Sequence, residues 1–168
     1  MKEGDNKVWL RPSWDQYFMK IAFLVSERST CRRRHVGAVL VKDKRILTTG
    51  YNGAPKGQKD CLEMDCLRDE LNIESGKDKH ICRAMHAEAN AIVQAALHGI
   101  HMEKATLYCT HGICSGCAKM LINAGVSRVV TCAERKEADF ENMFSDAGIE
   151  FVKIEKPEMR INTLEYYR

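Results

Sequence analysis

Met85-His86-Ala87-Glu88 and Ile113-Cys114-Ser115-Gly116-Cys117 bracket the stretch that decides the fold, residues 85–117. One imidazole and two thiols from these segments match the ligand set of a tetrahedral zinc, and three protein ligands leave a fourth position for water. Zinc lowers the pKa of such a water from about 15.7 toward about 7, so a nucleophile becomes available at neutral pH. That water needs a proton acceptor, and Glu88 is the candidate. Residues two apart on a helix point to different faces, so His86 and Glu88 are poorly placed to chelate one ion together and the carboxylate is left for proton transfer. Cys114 and Cys117 are spaced i, i+3, which puts both sulfurs on one face of a helix starting there. The exposed N–H groups and dipole at that start favour thiolates. The competing reading is a structural zinc knot or a chance grouping. A closed structural site would recruit a fourth Cys or His where this segment supplies a Glu.

Outward from this stretch the pattern alternates. Residues 86–98 have helical spacing, with Ala87, Ala91, Ile92 and Ala95 apolar and Gly99 as the stop. A strand is expected over 105–109, a helix over 114–123 closed by Ala124-Gly125, a strand over 127–131, a helix over 138–147 and a strand over 149–154. Upstream, Ser13 and Gln16 are spaced as a capping box, and Trp14, Tyr17, Phe18, Ile21, Leu24 and Val25 form an apolar stripe expected in the core. Residues 36–41 and 45–49 read as a hairpin around Lys42-Asp43-Lys44. Strands alternating with helices favour a sheet with parallel members, covered on both faces, with the two ligand-bearing segments at adjacent strand-to-helix junctions.

Between these elements lie three irregular stretches. Arg32-Arg33-Arg34 reads as a solvated loop for at least two of its members, with one available to grip a phosphate bidentately. Gly50-Tyr51-Asn52-Gly53-Ala54-Pro55 breaks the strand pattern, either as a turn or where backbone approaches a ligand closely. Residues 56–79 are polar and too long for an ordinary connection. Cys61 and Cys66, with Cys82 or His80 downstream and Cys31 upstream, could close a structural zinc site and clip this insertion, about 56–82; scattered core thiols are the alternative. Cys109 and Cys132 read as buried thiols, and His35, His98 and His101 as surface or capping residues.

With 168 residues, 45% of them hydrophobic, the chain suits one domain, 1–168, with its core at about 13–154 and a surface tail at about 156–168. A formal net charge of +3 is too small to imply a nucleic-acid partner. Residues 1–7 lack the apolar run of a signal peptide and no stretch approaches a membrane span, so a cytoplasmic protein is expected. In that reducing setting eight cysteines read as metal ligands or core residues before disulfides.

The pairing of H-x-E with a later C-x-x-C is the pattern of zinc nucleobase deaminases, in which the Glu is acid and base and not a ligand. From about Ser13 to Val152 the sequence resembles the cytidine/deoxycytidylate deaminase superfamily, most closely its bacterial deoxycytidylate (dCMP) deaminases. The stretches that carry the resemblance are Ser29-Thr30-Cys31, Val36-Gly37-Ala38-Val39, Gly50 to Pro55, His86-Ala87-Glu88-Ala89-Asn90-Ala91-Ile92, and Cys117-Ala118-Lys119-Met120-Leu121-Ile122-Asn123-Ala124-Gly125. It implies an α/β fold, a three-layer αβα cytidine deaminase-like arrangement around a five-stranded mixed sheet, in a homo-oligomer, typically a hexamer. It also implies hydrolysis of dCMP to dUMP and ammonia, a step that feeds thymidylate synthesis. By matching position, His86, Cys114 and Cys117 hold the catalytic zinc, Glu88 shuttles protons and Asn52 contacts the substrate sugar. Cys31, Cys61 and Cys66 match ligands of a second zinc, with Cys82 or His80 as the fourth. Members respond to dCTP and dTTP with Mg²⁺ at a site built partly by the Tyr51-Asn52-Gly53 loop. The rivals are deamination of free cytidine, a tRNA adenosine or a pteridine-like base, and a zinc-stabilised binding module. The one departure is Ile113, where the family usually has Pro, whose fixed φ preorganises a first helical turn. A less rigid site is expected from it.

Overall fold

The computed structural model describes residues 11–74, 77–133 and 139–159. These form a five-stranded sheet in the order β2-β1-β3-β4-β5, with β1 Gly37–Lys42, β2 Arg45–Tyr51, β3 Thr106–Cys109, β4 Arg128–Thr131 and β5 Glu150–Lys153. The β1/β2 and β1/β3 pairs are antiparallel, while β3/β4 and β4/β5 are parallel. The hairpin turns on Asp43 and Lys44, both at positive φ, which matches the twist of the flanking strands. Between Leu40 and Val41 the register shifts, leaving Leu47 unpaired as a bulge.

Helices α1 (Trp14–Ser26), α2 (Leu67–Glu70), α3 (Ala87–Leu97), α4 (Ser115–Asn123) and α5 (Asp139–Asp146) complete the described elements, with a single 3₁₀ turn over Lys79–Ile81. One face of the sheet is covered by α1, through Phe18, Met19 and Ala22 against Val39, Val41, Tyr108 and Val130. The other carries α3, α4 and α5, through Ala87, Ala91, Leu121 and Phe144 against Leu40, Leu107 and Val129. The mixed sheet between helical layers is the expected one. The expected tail beyond Met159, and Ala138, lie outside the described residues.

The structure corrects the reading of α1. Its capping box forms, with the Gln16 N–H donating to Ser13 Oγ at 3.2 Å and the Ser13 N–H to Gln16 Oε1 at 3.1 Å. Its buried face keeps only part of the expected stripe: Phe18 is buried and Ile21 and Val25 pack against the core, but Trp14, Tyr17 and Leu24 are 42%, 45% and 55% exposed, and Met19 and Ala22 are buried in their place. The cause is the closeness of the helix to the sheet. A Cβ on Gly37 would stand 2.0 Å from the Ala22 carbonyl oxygen, so only a small residue fits at this crossing, and Trp14 and Tyr17 lie outside it.

A second correction concerns Gly50. Strand β2 continues through it to Tyr51, and a Cβ there would lie 2.2 Å from the Ala87 carbonyl oxygen and 2.4 Å from the Ala91 nitrogen. The glycine lets α3 press its first turns against the strand. Thr48 Oγ1 donates to the Ala91 carbonyl at 3.0 Å and Asn90 Nδ2 to the Tyr51 carbonyl at 2.8 Å, which ties the start of α3 to this edge of the sheet. Cys132 also departs from expectation: it lies just past β4, half-buried, whereas Cys109 is fully buried. His35, His98 and His101 are exposed, as read.

Candidate active site

Two helix starts build the site. His86 is the N-cap of α3, with extended backbone at φ −73° and ψ 152°, so the helix begins one residue later than its spacing implied. Cys114 is the N-cap of α4, directly after β3, and its Sγ accepts the Cys117 N–H at 3.3 Å. Only α4 follows a strand of the sheet directly. The segment before α3 is held instead by a bridge in which the Met85 N–H donates to the Gly53 carbonyl at 2.9 Å and the Gly53 N–H to the Met85 carbonyl at 3.3 Å.

These starts bring His86 Nδ1 to 3.3 Å from Cys114 Sγ and 3.5 Å from Cys117 Sγ. Their ligand atoms all lie within 4.8 Å of one another, the group among the described residues that does so. The two thiols act as a pair. The hydrogen bond from the Cys117 thiol holds Cys114 well below the usual thiol range against the opposing effect of burial, helped by His86 and the Cys117 N–H. The same bond, then burial and the nearby charge of Glu88, push Cys117 far up. Both thiols must give up their protons to bind a divalent metal, and the Cys114 sulfur is the one its surroundings favour as a thiolate. One imidazole and two thiol sulfurs within reach of one another fit zinc, and Glu88, the only carboxylate among the described residues that line the cavity beside His86, is 3% exposed.

The cavity wall also includes Asn52, Arg33, Arg34, Arg68 and His111. Asn52 is 7% exposed and organises the loop around it. Its Oδ1 accepts from Ser29 Oγ at 2.6 Å and from the Val36 N–H at 2.8 Å, and its Nδ2 donates to the Arg34 carbonyl at 2.9 Å. The flanking Tyr51 is partly exposed. His111 escaped the sequence reading because it lies in a turn with no partner at ligand spacing. Its position three residues before Cys114 was the available signal, and its Nδ1 sits 3.1 Å from Thr110 Oγ1. Ile113 is fully buried in the core, so apolar packing anchors the approach to Cys114 where a fixed φ does not.

Cys31, Cys61, Cys66 and Cys82 line the same cavity. Burial raises the Cys61 thiol, and the nearby Cys66, Cys31 and Cys82 raise it further, so the four thiols are neighbours. His80 is exposed and is not on the wall.

Residues 12–133 match the cytidine and deoxycytidylate deaminase zinc-binding region. The chain belongs to the cytidine and deoxycytidylate deaminase family. Within this family it is 41% identical to the deoxycytidylate deaminase of Mycobacterium phage D29 over 125 residues, 71% of this chain and 94% of that protein. It is 37% identical to the deoxycytidylate deaminase of Saccharomyces cerevisiae over 149 residues, 88% of this chain but 47% of the yeast protein, so it spans about half the length of that relative. The dCMP deaminase of cyanophage S-TIM5, solved in complex with dCMP and dUMP, superposes with a TM-score of 0.71 at 32% identity, covering 87% of this chain and 100% of that one. Family membership agrees with the zinc-fitting donor set. No helix among the described residues is long and apolar enough to cross a membrane.

Proposed function

We propose that this chain is a zinc-dependent hydrolytic deaminase that converts dCMP and water to dUMP and ammonia. The observation that carries this reading is the convergence of His86, Cys114 and Cys117 beside a cavity that His86 lines together with the buried Glu88, its one lining carboxylate among the described residues. The choice of substrate rests on the deoxycytidylate deaminases among its relatives. Zinc, when bound by these three residues, supplies a Lewis acid that makes water acidic enough to be deprotonated by a carboxylate. Glu88 takes one proton from the water as it attacks C4 of the cytosine and delivers it to N3. The second water proton passes through the same carboxylate to the amino group, which leaves as ammonia while C4 becomes a carbonyl. Burial keeps bulk water from competing for these protons.

The four cysteines are read as ligands of a second, structural zinc, with Cys82 in preference to His80 because Cys82 faces the shared cavity. Asn52 is assigned to the sugar, and Tyr51, Asn52 and Gly53 to a dCTP or dTTP effector with Mg²⁺. We read the chain as one domain in a cytoplasmic homo-oligomer, a hexamer by family resemblance, with its thiols reduced and no nucleic-acid partner. Ammonia release from dCMP, CMP, deoxycytidine and a tRNA anticodon stem tests the reading. Release from dCMP above the others is expected. Preference for the stem, or release from none, would overturn it.

A further inference from the structure

Asn52 lines the cavity, and the group that orients it, Ser29, does not. Ser29 lies three residues past the end of α1, buried, with its N–H donating to the Ser26 carbonyl at 3.0 Å. Its hydroxyl joins two segments. Ser29 Oγ accepts the Cys31 N–H at 3.2 Å and stands 2.6 Å from Asn52 Oδ1. Two oxygens that close have a hydrogen between them, and an amide oxygen only accepts, so the hydroxyl donates. The Asn52 carbonyl at 3.0 Å and the Arg34 carbonyl at 3.5 Å are its more distant acceptors.

The amide has one orientation. The Val36 N–H can only donate, so the atom 2.8 Å from it is Oδ1, and the Arg34 carbonyl can only accept, so the atom 2.9 Å from it is Nδ2. Oδ1 is therefore filled twice, by Ser29 and by Val36, and Nδ2 keeps one hydrogen beyond the one given to Arg34. The Asn52 backbone is tied as well, its N–H to the Val36 carbonyl at 3.2 Å. Removing the Ser29 hydroxyl would take the shortest of these contacts from Oδ1 and the acceptor from the Cys31 N–H, in buried surroundings where unfilled polar groups are costly.

We propose that Ser29 is a positioning residue for nucleotide binding: its hydroxyl locks the Asn52 amide, so that this side chain meets the substrate in a single orientation. The inference rests on the proposed assignment of Asn52 to the sugar and adds to it a residue outside the cavity wall. The rival is that Ser29 serves only the loop of Cys31, whose N–H the same oxygen accepts.

A double-mutant cycle separates the two. Zinc-loaded full chains of wild type, Ser29→Ala, Asn52→Ala and the double variant are compared in KM and kcat for dCMP, in dUMP affinity by calorimetry and in zinc content. Ser29→Ala should raise KM for dCMP and the Kd for dUMP about 3- to 10-fold, the worth of one hydrogen bond, with kcat and zinc content nearly unchanged. In the Asn52→Ala background the same substitution should add less than about a twofold change, because its partner is gone. Full additivity, or a fall in kcat and zinc content with KM unchanged, would mean that Ser29 serves the loop alone and would overturn the proposal. Should Ser29→Ala not fold, Ser29→Cys fills the space with a weak donor and carries the same cycle. A wild type that neither deaminates dCMP nor binds dUMP would sink the deaminase reading and this role with it, whereas turnover with an additive cycle would sink the role of Ser29 alone.

Discussion

Two cysteine groups of different build meet the cavity differently: Cys31, Cys61, Cys66 and Cys82 line it, while Cys114 and Cys117 stand behind His86, which does. His86, Cys114 and Cys117 stand on helix starts that are pressed against a sheet, and their ligand atoms already lie within 4.8 Å of one another. Cys31, Cys61, Cys66 and Cys82 come from connecting segments that share a cavity wall. Regular structure can preorganise a site before its ion arrives, because backbone hydrogen bonds and close packing fix the Cβ positions. An insertion with one four-residue helix and one 3₁₀ turn has little of either. If the four cysteines hold the second zinc proposed above, binding there is also folding. The first group should therefore lose function without losing structure, and the second should lose both.

The largest expected contrast is between Cys114→Ser and Cys61→Ser. Cys114→Ser should abolish turnover and the first zinc while the thermal midpoint stays near that of wild type. Cys61→Ser should keep the first zinc, lose the second and destabilise the protein by roughly 1–3 kcal/mol. Zinc stoichiometry and thermal unfolding on the same samples check both, and equal stability loss in the two variants would erase the distinction.

Gly50→Ala sharpens it. Its Cβ would meet backbone atoms of Ala87 and Ala91 at 2.2 and 2.4 Å, so α3 must shift and carry His86 and Glu88 with it. A stability loss of roughly 1–3 kcal/mol with weakened zinc binding at the first site is expected from such overpacking. Unchanged zinc affinity would show that the site does not depend on this crossing.

A smaller effect belongs to the scaffold remote from both groups. Arg128 donates to both carboxylate oxygens of Asp15, at 2.7 and 2.9 Å, and Tyr108 Oη donates to Oδ1 at 2.8 Å. The hydrogen bonds from Arg128, opposed by burial and aided by Tyr108, hold the Asp15 carboxyl below its ordinary range. A depressed folded-state pKa stabilises above the unfolded value, about 3.9, and that contribution is lost as pH falls through the folded value. Asp15→Asn should cost roughly 1.5 kcal/mol at neutral pH and flatten the acid limb of stability below about pH 4, leaving both zinc contents intact. Denaturation curves across this range check the sign. The smallest effect is reserved for His80→Ala, which should leave zinc stoichiometry and stability unchanged because the imidazole is exposed and away from the wall. Loss of one zinc in that variant would restore His80 as a ligand.

How much of this could be read beforehand follows the same division. His86, Glu88, Cys114 and Cys117 were legible because helix spacing and ligand chemistry are local properties, and the strands and helices around them fell within a residue or two of expectation. The inward face of α1 was not, since it depends on how closely Gly37 lets the helix approach a strand that is distant in sequence. His111 was missed because its spacing to Cys114 is a weak signal until the folded turn sets it on the cavity wall. Which arginine of the 32–34 run is held inward was open for a similar reason: the three are equally basic, and only its burial sets Arg33 apart from Arg32 and Arg34.

The central claim is that Glu88 moves protons and does not hold the metal. Turnover of dCMP by wild type and Glu88→Ala at matched zinc content tests it most directly. One zinc retained at the first site, with ammonia release reduced by about 10²–10⁴-fold or more, is predicted. Zinc lost from that site in the variant, or turnover preserved with zinc in place, would contradict the account.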